Sequence, residues 1–225
     1  MAKRPTVVVF DVLETLLNLD PLSARLEKVG QPATVLGPWF MRFQRDAMAL
    51  TLAGDQAPFE PVARQAMRTE TQHKLSEADI DYVLEGFAML PTFDDALPAL
   101  RSLSQAGVTV ACLTVGSPEN TRRFLEGAGL SEFVNHVITA QAAGVWKPHP
   151  DIYRFTAKSL QVPLERMALV AVHAWDCHGA KRAGAMAGWC SRLELARGDV
   201  FLPADVSGDT LVEVVDKLLK LHPAS

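Results

Sequence analysis

Asp11 closes an apolar run, Thr6-Val7-Val8-Val9-Phe10, and is followed by Thr15 and then Leu16-Leu17. A carboxylate held at the end of a buried strand can act as a nucleophile. Three later segments supply what such a nucleophile needs: Leu113-Thr114-Val115-Gly116-Ser117, Val145-Trp146-Lys147-Pro148 with Tyr153 six residues after the lysine, and Val172-His173-Ala174-Trp175-Asp176. In this set Asp11 attacks, and Lys147 keeps it ionised and offsets the charge of an anionic substrate. Thr15 and Thr114 aim the carboxylate through their hydroxyls. Asp176 activates the water that cleaves the resulting ester. Each piece alone reads differently. An aspartate after a strand is most often a cap or turn residue, Lys-Pro a solvated loop, and Trp175-Asp176 a buried aromatic beside an acid that a helix N-terminus favours. The ordered combination is what favours an active site.

The elements around these residues are those of an α/β fold with a doubly wound parallel sheet. Strand signals recur at residues 6–10, 108–113, 136–139, 167–172 and 189–190, with helical patterns near 118–128, 150–160 and 176–186. Strands alternating with helices of crossover length give βαβ units, and an uninterrupted apolar run reads as a strand buried on both faces. In such a sheet the carboxyl ends of the strands share one edge, where ligands bind. Ser117-Pro118-Glu119 has the form of a cap, an N1 proline and a first-turn acid. Gly127 and Gly129 would stop that helix. Residues 18–91 differ. They hold no convincing strand and read as helices near 21–29, 35–53, 58–75 and 77–90, the last opened by the capping-box pattern Ser76-Glu77-Ala78-Asp79. The expected division is a core of 1–17 and 92–225 interrupted by a helical cap, 18–91, lying over the ligand crevice.

The chain of 225 residues is 48% hydrophobic and 21% charged, an ordinary globular composition, and its net charge of -4 gives no footprint for nucleic acid or an anionic membrane. No stretch approaches the length of a membrane span, and no signal peptide is visible. Cys112, Cys177 and Cys190 lack metal-ligand spacing and read as reduced thiols of a cytoplasmic protein.

Taken together, Phe10-Asp11-x-x-x-Thr15-Leu16, the helical insert, Leu113-Thr114-x-Gly116-Ser117, Lys147-Pro148 with Tyr153, and Ala174-Trp175-Asp176 followed by Gly179-Ala180 resemble the haloacid dehalogenase superfamily, and within it the type II (L-2-haloacid) dehalogenases. The resemblance spans nearly the whole chain. It implies a Rossmann-like core with an inserted cap, and hydrolytic dehalogenation of short 2-haloalkanoic acids. Asp11 is then the nucleophile, Lys147 its charge partner, Tyr153 a support, and Asp176 the residue that positions or activates water. No metal or organic cofactor is implied. The partner is a halogenated carboxylic acid, and a homodimer is compatible with the family.

Magnesium phosphatases dominate that superfamily. They place an acid two residues after the nucleophile, where this chain has Leu13, and a metal-binding aspartate four residues before the last one, where it has Val172. Hydrocarbon at both places argues against phosphoryl transfer and against a hard cation, while a halide leaves without a proton. The chain also departs from the dehalogenases: Glu14 replaces a glycine, Val115 an asparagine, and Phe40, after Trp39, an arginine. Arg42 or Arg45 then stands one turn away as a substitute. His173, in place of an asparagine, reads either as a hydrogen-bonded structural histidine or as a donor to the substrate. Trp39, Phe40, Met41 and Phe43 read as apolar pocket or as helix packing. A binding protein without turnover remains the third reading.

Overall fold

The computed structural model describes residues 3–222; residues 1–2 and 223–225, the ends of the expected core, lie outside the described residues. In chain order the strands are β1 (Val7–Asp11), β2 (Thr109–Thr114), β3 (His136–Thr139), β4 (Met167–Ala171), β5 (Met186–Cys190) and β6 (Val206–Gly208). They form one parallel sheet in the order β3-β2-β1-β4-β5-β6. β1, β4 and β5 are buried at every residue, which is why their sequences show apolar runs and not alternation. From β1 the chain builds outward to β2 and β3, then returns to β4 on the other side. The topological switch point therefore lies at the carboxyl ends of β1 and β4, where open sheets take their ligands.

The helices are α1 (Leu22–Lys28), α2 (Leu36–Leu52), α3 (Phe59–Glu70), α4 (Glu77–Glu85), α5 (Ala96–Gln105), α6 (Pro118–Gly127), α7 (Ala140–Ala143), α8 (Pro150–Ser159), α9 (Ala174–Ala183) and α10 (Leu211–Leu219), with short 3₁₀ turns at Ala33–Val35, Gly86–Met89 and Leu164–Arg166. Capping follows the sequence. Ser76 and Asp79 form a reciprocal capping box on α4, and the Ser117 hydroxyl accepts from the Asn120 amide above the proline that begins α6. The expected helix at 77–90 breaks after Glu85 into a 3₁₀ turn. There Gly86 lies against Arg25 and Leu22, so close that a Cβ would come within 2.6 Å of both.

Residues 22–89 are helical between their turns. α2 buries Trp39, Phe40, Phe43 and Ala47, a stripe at helical spacing. At the base of this segment the outgoing and returning strands of chain touch: Leu17 bridges to Thr92, and the Asn18 amide donates to the Pro91 carbonyl at 2.9 Å. Above the sheet, aromatic rings join the helical segment to the core, with Phe43 edge-on to Trp146 at 5.7 Å. The Trp146 amide donates to the Thr51 hydroxyl at 2.9 Å.

Candidate active site

Asp11 ends β1 and His173 follows β4, while Asp176 stands in the first turn of α9, Lys147 in the loop between α7 and α8, and Tyr153 on α8. Asp11 is the last residue of β1, in register with Leu113, and is 6% exposed. The loop after it turns back sharply, with the Leu16 and Leu17 amides both donating to the Val12 carbonyl. This turn returns Thr15 beneath the carboxylate. The Thr15 hydroxyl accepts from the Val172 amide at 3.1 Å and donates to Asp11 Oδ2 at 2.7 Å. A hydroxyl has one proton, so the amide from β4's end directs that proton onto Asp11 and fixes the carboxylate's rotation.

Lys147, 3% exposed, reaches in from the loop before α8. Its Nζ donates to Asp11 Oδ1 at 2.9 Å and to Asp176 Oδ2 at 2.8 Å. Asp176 is fully buried in the first turn of α9. Its other oxygen, Oδ1, accepts a short bond from the Tyr153 hydroxyl on α8. The close approach of α8 and α9 requires Gly179: a Cβ there would fall 2.7 Å from the Tyr153 oxygen and 2.8 Å from the Pro148 carbonyl. Gly179→Ala is therefore expected to push Tyr153 and the Lys147 loop outward. It should lower kcat by about tenfold or more, since an ångström of misplacement costs that much, with a lowered melting temperature as the accompanying readout.

Burial raises the pKa of Asp11, but the Lys147 charge and then the His173 contact outweigh it and hold the carboxyl below the usual range. Asp176 moves the other way: burial pushes it up by more than Lys147 and Tyr153 recover, and Asp11 adds repulsion. Burial works against the Lys147 charge, and the two carboxylates overcome it and raise its pKa. One acid is thus kept ionised for attack and the other is the stronger base, a division of environments seen in two-carboxylate sites.

His173 caps the other side of Asp11. Its Nε2 lies 2.7 Å from Glu14 Oε2 and its Nδ1 3.3 Å from Asp11 Oδ2, the latter off the line of a hydrogen bond. Burial alone would lower its pKa; the close approach of the Asp11 and Glu14 carboxylates outweighs this and raises it to about 10. The ring is an imidazolium at neutral pH. Glu14, an acid three residues from the nucleophile, therefore points at a cation. Glu14 also has φ +65°, a left-handed conformation costly for a side chain with a Cβ.

Over Asp11 lies a compact cavity of about 20 Å³, lined among others by Leu13, Phe40, Phe43, Gln44, Val115, Trp146, His173 and Trp175. Larger surface clefts, about 610 and 780 Å³, are lined by neither Asp11, Lys147 nor Asp176.

Not every candidate residue lies here. Thr114 sits beside the site at the end of β2, but its oxygen accepts from the Gly116 amide at 3.0 Å and makes no described bond to Asp11; it shapes the loop instead of aiming the nucleophile. Trp39 is not part of the cavity lining; it is buried with its indole donating to the Ala63 carbonyl at 2.9 Å, a packing role within the helical segment. Arg42 is held in an ion pair with Glu70, and Arg45 is paired with its neighbour Asp46; neither lines the cavity. Phe40 and Val115 do. Phe43, expected with Phe40 as apolar pocket, lines it too, whereas Gln44, Trp146 and Trp175 were not read as site residues. Gln44 sits one turn from Phe40 on α2, and Trp146 directly precedes Lys147, so adjacency alone could have marked them.

The donor set does not suit a divalent ion between the acids. The Lys147 amine bridges both, and at Val172, where the metal-binding aspartate of the phosphatases would stand, the side chain is hydrocarbon and offers no hard oxygen ligand. No cluster of three or more potential ligand side chains occurs among the described residues.

Comparison with known proteins agrees with this geometry. Over its whole length the chain is similar to haloacetate dehalogenase H-2 of Moraxella sp. (strain B), with 27% identity over 97% of this chain and 98% of that protein. It is also similar to (S)-2-haloacid dehalogenase 1 of Pseudomonas sp. (strain CBS-3), with 28% identity over 95% and 96%. The structure superposes on L-2-haloacid dehalogenase of Xanthobacter autotrophicus with chloropropionic acid covalently bound, at a TM-score of 0.88 and 21% identity over 96% of this chain and 99% of that one. Residues 5–184 match the family model of haloacid dehalogenase-like hydrolases, and the chain belongs to that family.

Proposed function

We propose that this protein is a hydrolase of carbon–halogen bonds, acting on short 2-haloalkanoic acids through an ester of Asp11. The observation that carries the reading is the buried set Asp11–Lys147–Asp176 with hydrocarbon, not carboxylate, at Leu13 and Val172. An Asp11 oxygen attacks C2; the C2–halogen electron pair leaves with the halide, which needs no acid. The product ester joins Asp11 to the acid's C2. Water then attacks the ester carbonyl, giving up a proton toward Asp176, and the hydroxy acid departs with the former Asp11 oxygen. Lys147 offsets the charge that the substrate carboxylate adds. Residues 18–91 act as a cap that excludes water from the reacting atoms. The dehalogenase names of the full-length relatives support the same reading. No described helix is long and apolar enough to cross a membrane. The three cysteines are free and buried, in keeping with a cytoplasmic protein. The test is halide release from chloro-, bromo- and fluoroacids in the presence of a chelator: turnover indifferent to the chelator is expected, and chelator-sensitive phosphate release from an aryl phosphate, with no halide release, overturns the reading.

His173 serves this reaction as a cation beside the nucleophile, so its protonation sets an alkaline limit. The rate kcat/KM is expected to hold through neutral pH and to fall as pH rises through about 10, where the imidazolium faced by Asp11 and Glu14 loses its proton. His173→Gln removes that limb. Stability follows the same sign. A pKa raised from 6.5 contributes stability that is complete below about 6.5 and gone once pH passes about 10. Denaturation midpoints of wild type and His173→Gln should therefore converge at high pH.

A further inference from the structure

Two buried side-chain polar atoms among the described residues have no hydrogen-bond partner: His173 Nδ1 and the indole Nε1 of Trp146. Both belong to residues lining the cavity over Asp11. A buried donor without an acceptor is costly, and such groups concentrate where a ligand completes them. The two differ in position. His173 Nδ1 is 3.3 Å from the nucleophile's own oxygen, on the attacking side of the substrate. Trp146, 3% exposed, stands edge-on to Phe43 and shares its wall with Phe40 and Val115. In an in-line displacement the leaving group departs on the side of carbon opposite the nucleophile, so the donor beside Asp11, His173, is not the one to meet it, and Trp146 Nε1, with no acceptor in reach, is the donor that remains. A carboxylate wants several donors for its hard oxygens, whereas a large, weakly hydrated halide is accommodated by a hydrocarbon wall with one N–H. The arginines nearby are committed to Glu70 and Asp46.

We propose that the indole N–H of Trp146 receives the departing halide. The inference rests on the dehalogenation reading above. As the Asp11–C2 bond forms and the carbon–halogen pair is released, the halide gains negative charge, and a donor that binds it in proportion to that charge lowers the barrier more than it tightens substrate binding.

The experiment compares wild type with Trp146→Phe, which keeps a ring and removes the N–H. Chloride binding is read directly by line broadening of the chloride NMR signal, independent of turnover, beside kcat and KM for 2-chloro- and 2-bromopropionate. Expected are a loss of chloride broadening, a kcat on the chloro acid lower by about 10²-fold, the usual effect of removing one such donor, a smaller loss on the bromo acid with its better leaving group, and little change in KM. Equal chloride binding with an unchanged chloro-to-bromo ratio overturns the proposal while leaving the dehalogenation reading intact. A wild type that releases no halide from any haloacid overturns both. Should the variant fail to fold, wild type still decides: bromide must shift one of the four tryptophan indole N–H resonances, and four unmoved resonances overturn the proposal.

Discussion

Asp11→Asn is expected to abolish halide release, lowering kcat by about four orders of magnitude or more, the scale on which loss of a covalent nucleophile is felt. The fold should survive. The amide oxygen can still accept from Lys147 Nζ, 2.9 Å from the present Oδ1, while the NH2 takes the place of Oδ2 and can donate to the Thr15 hydroxyl, 2.7 Å away, once that hydroxyl turns its proton aside. It lacks the charge and basicity to displace halide. The substitution also removes the counter-charge that raises the His173 pKa, so that group should titrate lower in the variant, leaving Glu14 as its remaining anion. Isotope placement separates the ester route from direct attack by water. In a single turnover in ¹⁸O water the hydroxy acid should carry ordinary oxygen, and the label should appear in the peptide containing Asp11. Labelled product after one turnover, with an unlabelled peptide, would mean that water attacks C2 itself and that Asp11 is only a base.

How much of this was readable from the chain follows from what each feature depends on. The parallel sheet was legible because strands covered on both faces must be apolar along their length: 6–10, 108–113 and 167–172 differ from β1, β2 and β4 by no more than one residue at each end. β6 was missed because a three-residue edge strand, Val206–Gly208, has too few residues to show a pattern. The acids, the lysine and Tyr153 were legible because strand ends in a doubly wound sheet converge whatever the loop lengths. Residues supplied by the helical segment were not, because their approach depends on how that segment settles on the core. Trp39, Phe40 and Phe43 share one buried face of α2. Which of them meets the site is decided by the rotation of the helix against Trp146, and no spacing encodes it. Arg42 failed for a related reason: Glu70, on the next helix, takes its charge first. The pairing of Glu14 with His173 joins residues 159 positions apart, and neither alone announces the other.

Lys147→Met is the second substitution with a large expected effect, and its effect on stability is as informative as its effect on rate. Lys147 is the cation placed between Asp11 and Asp176, all three buried. Removing it leaves Asp176 buried with no cation beside it and Asp11 with His173 alone, and breaking a buried pair in this way costs about 3–5 kcal/mol. Turnover should fall by several orders of magnitude, since Asp11 loses the charge that most opposes the effect of burial on its pKa. The pH dependence identifies the cause. In the variant, burial and mutual repulsion raise the folded-state pKa values of the acids, so the folded protein binds protons more readily than the unfolded chain. Its deficit relative to wild type should then shrink as pH falls through the carboxylate range. Adding Asp176→Leu to Lys147→Met removes the stranded charge. The double variant is expected to regain much of the lost stability and none of the activity. A double variant no more stable than Lys147→Met alone would show that the lysine stabilises the fold through its packing and not by neutralising two acids. Recovery of turnover in that double variant would remove both residues from the mechanism.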